Sequence, residues 1–432
     1  MKSDATLTYL YSLQWRGMKF GLRNIRALMK YAGHPEQRFP SIHVAGTNGK
    51  GSTASYLASI ATEAGYKTGL YTSPHLLRFT ERIRINGKEL SDERLVYYVK
   101  TLRPAIEASR ATFFEAATAV AFLYFADESV ELAVIETGMG GRFDATNIVV
   151  PLVSVITNVA LDHTEHLGNT LPKIAREKGG IIKDRVPVVT GAADPGVLDV
   201  LEQIARRKDT RLYRTDDVAR GEPVPGVQGR RGVRLTTGFM RQEVVIPGLP
   251  GEHQVTNARL AIAAYDLVIR TTAGRFRGIT RTAVVRGLER VRQNTGIHGR
   301  LERVRWNGRF ILDVAHNPDG TRTLMKSLPR GKGRPEVAVF GVMKDKDYTG
   351  MLESLSGGVS SIVVVAPKTG RALSVRALFR AAEKTGVKIL RGGSVERGLS
   401  VARRIAGRSG TVLVTGSHYV VGEAMELMQK KT

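Results

Sequence analysis

Lys50 is the one cation in Ser41-Ile42-His43-Val44-Ala45-Gly46-Thr47-Asn48-Gly49-Lys50-Gly51-Ser52-Thr53, where an apolar run meets three glycines and then hydroxyls. Glycines let successive backbone N–H groups curl round an anion, and a helix N-terminus adds partial positive charge. A lysine here supplies the full charge that reaches outer phosphates. Leu57, Ile60, Ala61 and Ala64 follow at helical spacing, which puts Ser52 or Thr53 in a first helical turn. The strict pattern G-x-x-x-x-G-K-S/T is not met, because its first glycine falls at Val44 and Gly51 separates Lys50 from the hydroxyls. An ordinary strand-to-helix turn is the bland alternative. The order strand, glycines, lysine, hydroxyls favours a nucleoside triphosphate site of non-standard kind.

Other polar groups follow apolar runs. Leu132-Ala133-Val134-Ile135-Glu136 reads as a buried strand ending in an acid, followed by the glycine-rich Thr137 to Asp144. A carboxylate so placed suits a magnesium ion; equally, Glu136 caps a helix or pairs with Arg142. Leu161-Asp162-His163-Thr164-Glu165-His166 invites a metal reading, although the spacing matches no zinc signature. Asp162 and His163 bonding each other and capping the next helix is the even alternative. Ser73 follows the strand-like Tyr66 to Tyr71 and so faces the same rim as Lys50, since parallel α/β sheets place ligands beyond strand carboxyl ends. By composition alone, Lys178 is a surface lysine.

These groups need elements to position them. Gly21 to Met29 is amphipathic, and residues 112–125 read as a buried helix. Residues 215–250 are polar and rich in Gly and Pro, which predicts a small antiparallel excursion. Helices are expected from His253 to Ile269 and from Arg281 to Val291, with Gln293-Asn294-Thr295-Gly296 as the linker. After it, Phe310 to Pro318 reads as a strand ending in polar residues, and strands near 336–341, 361–366 and 411–415 follow, separated by helical stretches, the rhythm of a parallel sheet. The expectation is two α/β domains, 1–294 and 295–432.

Composition sets outer bounds. A chain of 432 residues exceeds one typical core. No apolar run reaches the ~18 residues of a membrane helix, and Met1 to Leu7 lacks the apolar core of a signal peptide. With no cysteine, disulfides and thiolate metal sites are excluded. A cytoplasmic enzyme with no membrane partner is expected. The net charge of +25 fits nucleic-acid binding, attraction of small polyanions, or a basic surface without a specific partner. The basic residues are dispersed, so charge alone decides nothing.

Together the stretches resemble the folylpolyglutamate synthase/dihydrofolate synthase family of the Mur-ligase superfamily. The resemblance rests on His43 to Ser52, Tyr71 to Leu76, Gly140 to Asn147, Leu161 to Thr164, Arg176-Glu177-Lys178 and Asp313-Val314-Ala315-His316-Asn317-Pro318, in the family's order and over nearly the whole chain. It implies an N-terminal Mur-ligase-like P-loop ATPase domain, with a parallel sheet and the small antiparallel excursion, and a C-terminal Rossmann-like α/β domain. By the resemblance, Asn48, Gly49, Lys50, Gly51 and Ser52 hold the phosphates of ATP, and Asn257, Arg300 and Asp313 grip the nucleotide. Ser73, Glu136 and His163 would be ligands for Mg2+, with a carbamate on Lys178 serving a second ion. Lys50, Lys178 and His316 make up the implied catalytic set. Dihydropteroate or folate would meet Phe20, Gly21, Leu22 and Arg23, then Thr112, Phe113, Phe114 and Glu115, then Phe143, Asp144 and Ala145. Arg23 replaces an acid common in the family, which touches substrate preference, and Ile297-His298-Gly299-Arg300 replaces a usual Pro-Gly-Arg.

The implied reaction is amide formation with L-glutamate, driven by ATP, in a monomer. A cell-wall ligase would carry a further domain ahead of the phosphate loop, for which roughly forty residues are too few. The rival from another class is a nucleic-acid-stimulated ATPase using the same loop and the basic charge. The two separate in a turnover assay: the ligase reading expects ATP hydrolysis to be indifferent to DNA or RNA, and stimulation by either would favour the rival.

Overall fold

The computed structural model describes residues 3–17, 21–225, 231–329, 331 and 333–430. The chain forms two compact units: Met1–Ala160, Thr164–Gly248 and Gln254–Gly296 in the first, Leu161–His163, Leu249–His253 and Ile297–Thr432 in the second.

The first unit is built on strands β1 (Ser41–Ala45), β2 (Thr68–Tyr71), β3 (Ile83–Ile85), β4 (Lys88–Glu89), β5 (Leu132–Glu136), β6 (Val153–Ile156), β7 (Val188–Thr190) and β8 (Leu212–Arg214). They form one sheet in the order β4-β3-β2-β5-β1-β6-β7-β8. β2, β5, β1, β6, β7 and β8 run parallel, while β3 and β4 make an antiparallel edge. β1, β5 and β6 are buried at every position. Burial at every position suits a sheet covered on both faces, even where polar Ser41, His43 and Ser154 stand among the apolar residues. From β1 the chain turns to one side for β2 and to the other for β6, so the loop after β1 opens at a topological switch point.

Small residues let a helix lie close to β1. Lys50–Glu63 is buried continuously from Ser52 to Ala61, and its Ala and Ser side chains admit the helix Arg281–Glu289 at short range. A Cβ on Gly287 would stand 2.5 Å from the Cα of Ile60, and Ser59 Oγ donates to the Gly287 carbonyl at 2.6 Å. The expected excursion is present as β9 (Arg220–Val224), β10 (Gly232–Thr236) and β11 (Glu243–Val245), an antiparallel sheet in the order β11-β10-β9. The stretch expected to be a linker is partly helical instead. Val291–Thr295 is a helix that Gly296 closes in the left-handed region, and Asn294 Nδ2 donates to Ser59 Oγ and Glu63 Oε1 at 3.0 and 2.9 Å.

The second unit is a six-stranded sheet of β12 (Glu302–Arg305), β13 (Arg309–Leu312), β14 (Pro335–Phe340), β15 (Ser361–Val365), β16 (Lys388–Gly393) and β17 (Thr411–Thr415). The order is β12-β13-β17-β14-β15-β16, all parallel except β12. Sequence periodicity missed β16, because this edge strand is only half buried and carries Lys388 and Arg391 among its apolar residues. Among the described residues no helix is long and apolar enough to cross a membrane.

Gly287→Ala should destabilise the protein by about 1–3 kcal/mol, the usual penalty for overpacking a close helix contact. Gly370→Ala, which meets nothing within 4 Å, is the control. Thermal melts of the two variants check this, and equal Tm values would refute the packing argument.

Candidate functional site

β1 delivers the chain to Gly46 (φ 152°), and the loop ends at Gly49 (φ 84°), which caps the helix Lys50–Glu63. Neither position admits a side chain. A Cβ at Gly46 would lie 1.8 Å from Thr157 Oγ1, and one at Gly49 would lie 2.5 Å from Asn257 Oδ1. The end of β6 clamps the loop. Thr47 N–H donates to the Asn158 carbonyl (3.0 Å), Asn48 N–H to Asn158 Oδ1 (2.7 Å), and Thr157 Oγ1 to the Asn48 carbonyl (2.6 Å). Two loop amides therefore face β6. Lys50, Gly51 and Ser52 carry N–H groups that a helix leaves without an intrahelical partner, the kind of end that attracts an anion. Lys50 Nζ rests on the Thr47 carbonyl at 3.2 Å.

Three further expected residues gather at this loop. Lys178 is buried, not a surface lysine: only 3% of it is exposed, and its Nζ donates to the Gly46 carbonyl at 2.8 Å. Asn257 Nδ2 donates to Gln254 Oε1 (3.1 Å), and Gln254 Nε2 donates to Ser52 Oγ (3.3 Å). Glu136 lies one strand away, in register with Val44, and its buried Oε2 accepts the Ser73 N–H at 3.0 Å. Arg142, its alternative partner from sequence, lies 3.9 Å from Glu177 instead.

The segments expected at the acceptor contain side chains fixed by the fold. Phe20 lies outside the described residues. Gly21 and Leu22 precede the helix Arg23–Tyr31, where Arg23 is exposed in the first turn. Thr112 and Glu115 form a capping box for the helix Phe113–Asp127, and Asn24 Nδ2 also donates to Glu115 Oε2 at 3.3 Å. Phe113 stacks on Tyr11 (5.7 Å between ring centroids) with the Arg82 guanidinium 5.3 Å from its ring. Phe114 packs against Tyr71 and closes on Gly138, where a Cβ would meet its ring at 2.5 Å. Phe143 is 40% exposed beneath the Arg142 guanidinium. Asp144 is buried, and burial raises its pKa against the hydrogen bonds that favour its ionised form. Its Oδ2 accepts Met139 N–H (2.9 Å), and its Oδ1 accepts both N–H and Oγ1–H of Thr146 (3.0 and 2.6 Å). Ala145 is buried.

In the second unit a carboxylate organises the cations. Asp162 Oδ1 lies 2.6 Å from Lys346 Nζ and also accepts the His163 N–H. Its Oδ2 accepts from Asn317 Nδ2 (3.1 Å) and lies 3.5 Å from His316 Nε2. Burial alone would raise the Asp162 pKa, but His316, Lys346 and His163 together hold it well below the carboxylate range. Lys346 Nζ is 3.1 Å from His163 Nε2. An ammonium only donates, so that nitrogen offers the lone pair a metal would use. Both alternatives for Asp162-His163 thus keep a physical basis. Asp313 accepts the N–H groups of Leu301 and Ala315, both at 2.9 Å. Arg300 Nη1 lies 3.4 Å from the Gly299 carbonyl. Burial lowers the pKa of nearby His253, with the Arg300 charge adding to the shift and Asp313 opposing it.

Several contributors escaped the sequence analysis. Thr157 and Asn158 clamp the loop, and the pairing of β6 with β1 (Ala45 opposite Ile156) is the signal that would have found them. Gln254 and Lys346 gave none. His75 accepts from Arg82 Nε at 2.8 Å and stays neutral, its pKa pushed to about 3 by burial and by the Arg82 charge.

Residues 44–265 match the Mur ligase middle domain, and residues 299–418 match the Mur ligase glutamate ligase domain. The chain is 35% identical over 418 residues to a dihydrofolate synthase/folylpolyglutamate synthase of Bacillus subtilis, an alignment covering 94% of each chain. It is similar to the solved folylpolyglutamate synthase of Mycobacterium tuberculosis complexed with ADP (32% identity, TM-score 0.86, 99% of each chain). Escherichia coli FolC in complex with DHPP and ADP superposes with a TM-score of 0.86 at 30% identity, over 100% of this chain and 98% of that one.

Asn158→Ala frees the Asn48 amide from its clamp, while the main-chain carbonyl that takes the Thr47 N–H stays in place. It should weaken ADP binding about tenfold, ~1.4 kcal/mol, in the range of one hydrogen bond. Isothermal titration against the exposed control Asn169→Ala reads this, and unchanged affinity would refute the clamp.

Proposed function

The chain belongs to the folylpolyglutamate synthase/dihydrofolate synthase family of the Mur-ligase superfamily, and from that premise we propose how its own residues carry the reaction. It is an ATP-dependent ligase that adds L-glutamate to dihydropteroate or reduced folates. The observation that carries this reading is the clamped phosphate loop with buried Glu136 in register one strand away.

The acceptor carboxylate attacks the γ-phosphorus of ATP, an acyl phosphate forms and ADP leaves. The amine of L-glutamate then attacks the acyl carbon; the C–N bond forms, inorganic phosphate departs and the amine loses a proton. Positioning and electrostatics carry most of such a phosphoryl transfer. The first-turn amides of Lys50, Gly51 and Ser52 bind the phosphates, and the Lys50 ammonium offsets repulsion between two anions. Asn48 and Gly49 shape the loop. Asn257, Arg300 and Asp313 hold the nucleotide, and Gly21 to Arg23, Thr112 to Glu115 and Phe143 to Ala145 orient the acceptor. His316 completes the catalytic set, with its ring set between the Val314 carbonyl and Asp162.

Magnesium takes one or two carboxylates with phosphate oxygens and water rather than an all-protein cage, and buried Glu136 beside the loop fits that demand. Ser73, Glu136 and His163 are the ligands we assign to it, and a carbamate on Lys178 would give a second ion an anionic oxygen. When bound, the ions offset phosphate charge. We take the enzyme to act as a monomer in the cytoplasm on these small molecules.

Phosphate release from ATP should require L-glutamate together with dihydropteroate for the synthase step, or with tetrahydrofolate for polyglutamylation. Turnover that ignores both pterins and rises with DNA or RNA would sink the ligase reading. If Lys178 works as a carbamate, rates should fall in CO2-depleted buffer and return with bicarbonate. Insensitivity to bicarbonate would remove that group from the mechanism.

A further inference from the structure

His43 sits in the middle of β1, three residues before Gly46, with its side chain fully buried. A buried imidazole in the central strand of a parallel sheet needs a reason, because burying a polar group without a partner is costly. Its Nε2 lies 2.8 Å from Thr146 Oγ1. The Thr146 hydroxyl has a single proton and lies 2.6 Å from Asp144 Oδ1, a carboxylate oxygen that already accepts the Thr146 N–H. The hydroxyl therefore donates to Asp144 and accepts from His43, which fixes the imidazole as the Nε2–H tautomer. His43 Nδ1 is left bare, buried and without a partner. Burial, helped by the charge of Lys183, pushes the ring's pKa to about 3 and keeps it neutral.

The direction of this chain gives it meaning. At one end is the strand that feeds the phosphate loop. At the other, Asp144 caps the short helix Ala145–Ile148 and holds Met139, in the loop that follows Glu136. The only exposed ring in this segment, Phe143, directly precedes Asp144.

We propose that His43 is a positioning residue for the ligase reaction: through Thr146 and Asp144 it sets the acceptor-binding loop at Phe143 against the phosphate loop. It touches no substrate. The inference rests on the reading of Phe143 to Ala145 as an acceptor segment. It assigns His43 and Thr146 to the acceptor half of the reaction although His43 adjoins the nucleotide half in sequence.

The test compares His43→Leu and Thr146→Val, which break the relay at its first and middle members, with His43→Gln and Thr146→Ser, which keep a donor near the Nε2 position and a hydroxyl. The broken variants should raise KM for dihydropteroate or tetrahydrofolate about tenfold, the loss expected for one buried hydrogen bond. KM for ATP should stay within about twofold, and the conservative variants should recover most of the loss. The double variant His43→Leu/Thr146→Val should be no worse than Thr146→Val alone, since that change already removes both hydrogen bonds of the hydroxyl. Imidazole 15N spectra of the wild type should show the Nε2–H tautomer without titration between about pH 5 and 9, which a group that titrates only near pH 3 requires. Equal rises in KM for ATP and acceptor, or His43→Gln behaving like His43→Leu, would overturn the relay while the wild type still turned over folate. A wild type inactive with every pterin would overturn the ligase reading, and this inference with it.

Discussion

The loop proposed to bind phosphate can form because residue 46 has no Cβ. Thr157 Oγ1 fills the space left, 1.8 Å from the absent atom, and from there it holds the Asn48 carbonyl. Glycine at 46 thus does more than permit a positive φ: it lets β6 grip the loop that follows β1. The Thr47 and Asn48 amides are turned to Asn158, and beyond them come the first-turn amides that the next helix leaves without an intrahelical partner. The Gly46 carbonyl, turned the other way, receives Lys178. One close approach therefore orients three polar groups.

Buried charges in each unit follow the same rule, that an ion away from water needs partners. Glu136 accepts a backbone N–H in the first unit, and in the second Asp162 gathers Lys346, His316 and Asn317. Removing one partner from such a group leaves an uncompensated charge, so these clusters resist piecemeal change. Asp144 is buried without a cation and is balanced only by N–H and O–H donors, which is why its pKa rises where that of Asp162 falls.

Local pattern made much of the fold legible. Leu132 to Glu136 could be read as a strand because a parallel strand covered on both faces is a continuous apolar run, and Ser41 to Lys50 because glycine, cation and hydroxyl follow one. Residues 112–125 could be read as a buried helix, although the capping box of Thr112 and Glu115 went unread. Partnerships across sequence were not legible. Lys346 meets Asp162 and His163 from more than 180 positions away, and nothing near Lys346 announces it. Lys178 looked exposed because a charged residue in a polar stretch usually is, and its bond to the Gly46 carbonyl, far away in sequence, could not be read from its neighbours. Family resemblance pointed to Lys178 where spacing did not, yet it was silent on Thr157 and Asn158, which shape the loop.

The segments proposed to hold the acceptor divide into positions that the fold holds and positions that it leaves open, and the division bears on how such an enzyme can change its taste. Glu115 and Asp144 cap the N-termini of helices, and Phe113 and Phe114 are wedged among Tyr11, Arg82, Tyr71 and Gly138. A lineage adapting to a new pterin, or escaping an antifolate, would damage its own scaffold by altering any of them. Arg23 and Phe143 carry no such burden: one is an exposed helix start, the other an exposed ring held by a neighbouring guanidinium. Variation in substrate range and drug resistance should accordingly accumulate at these two positions, while their buried neighbours stay fixed.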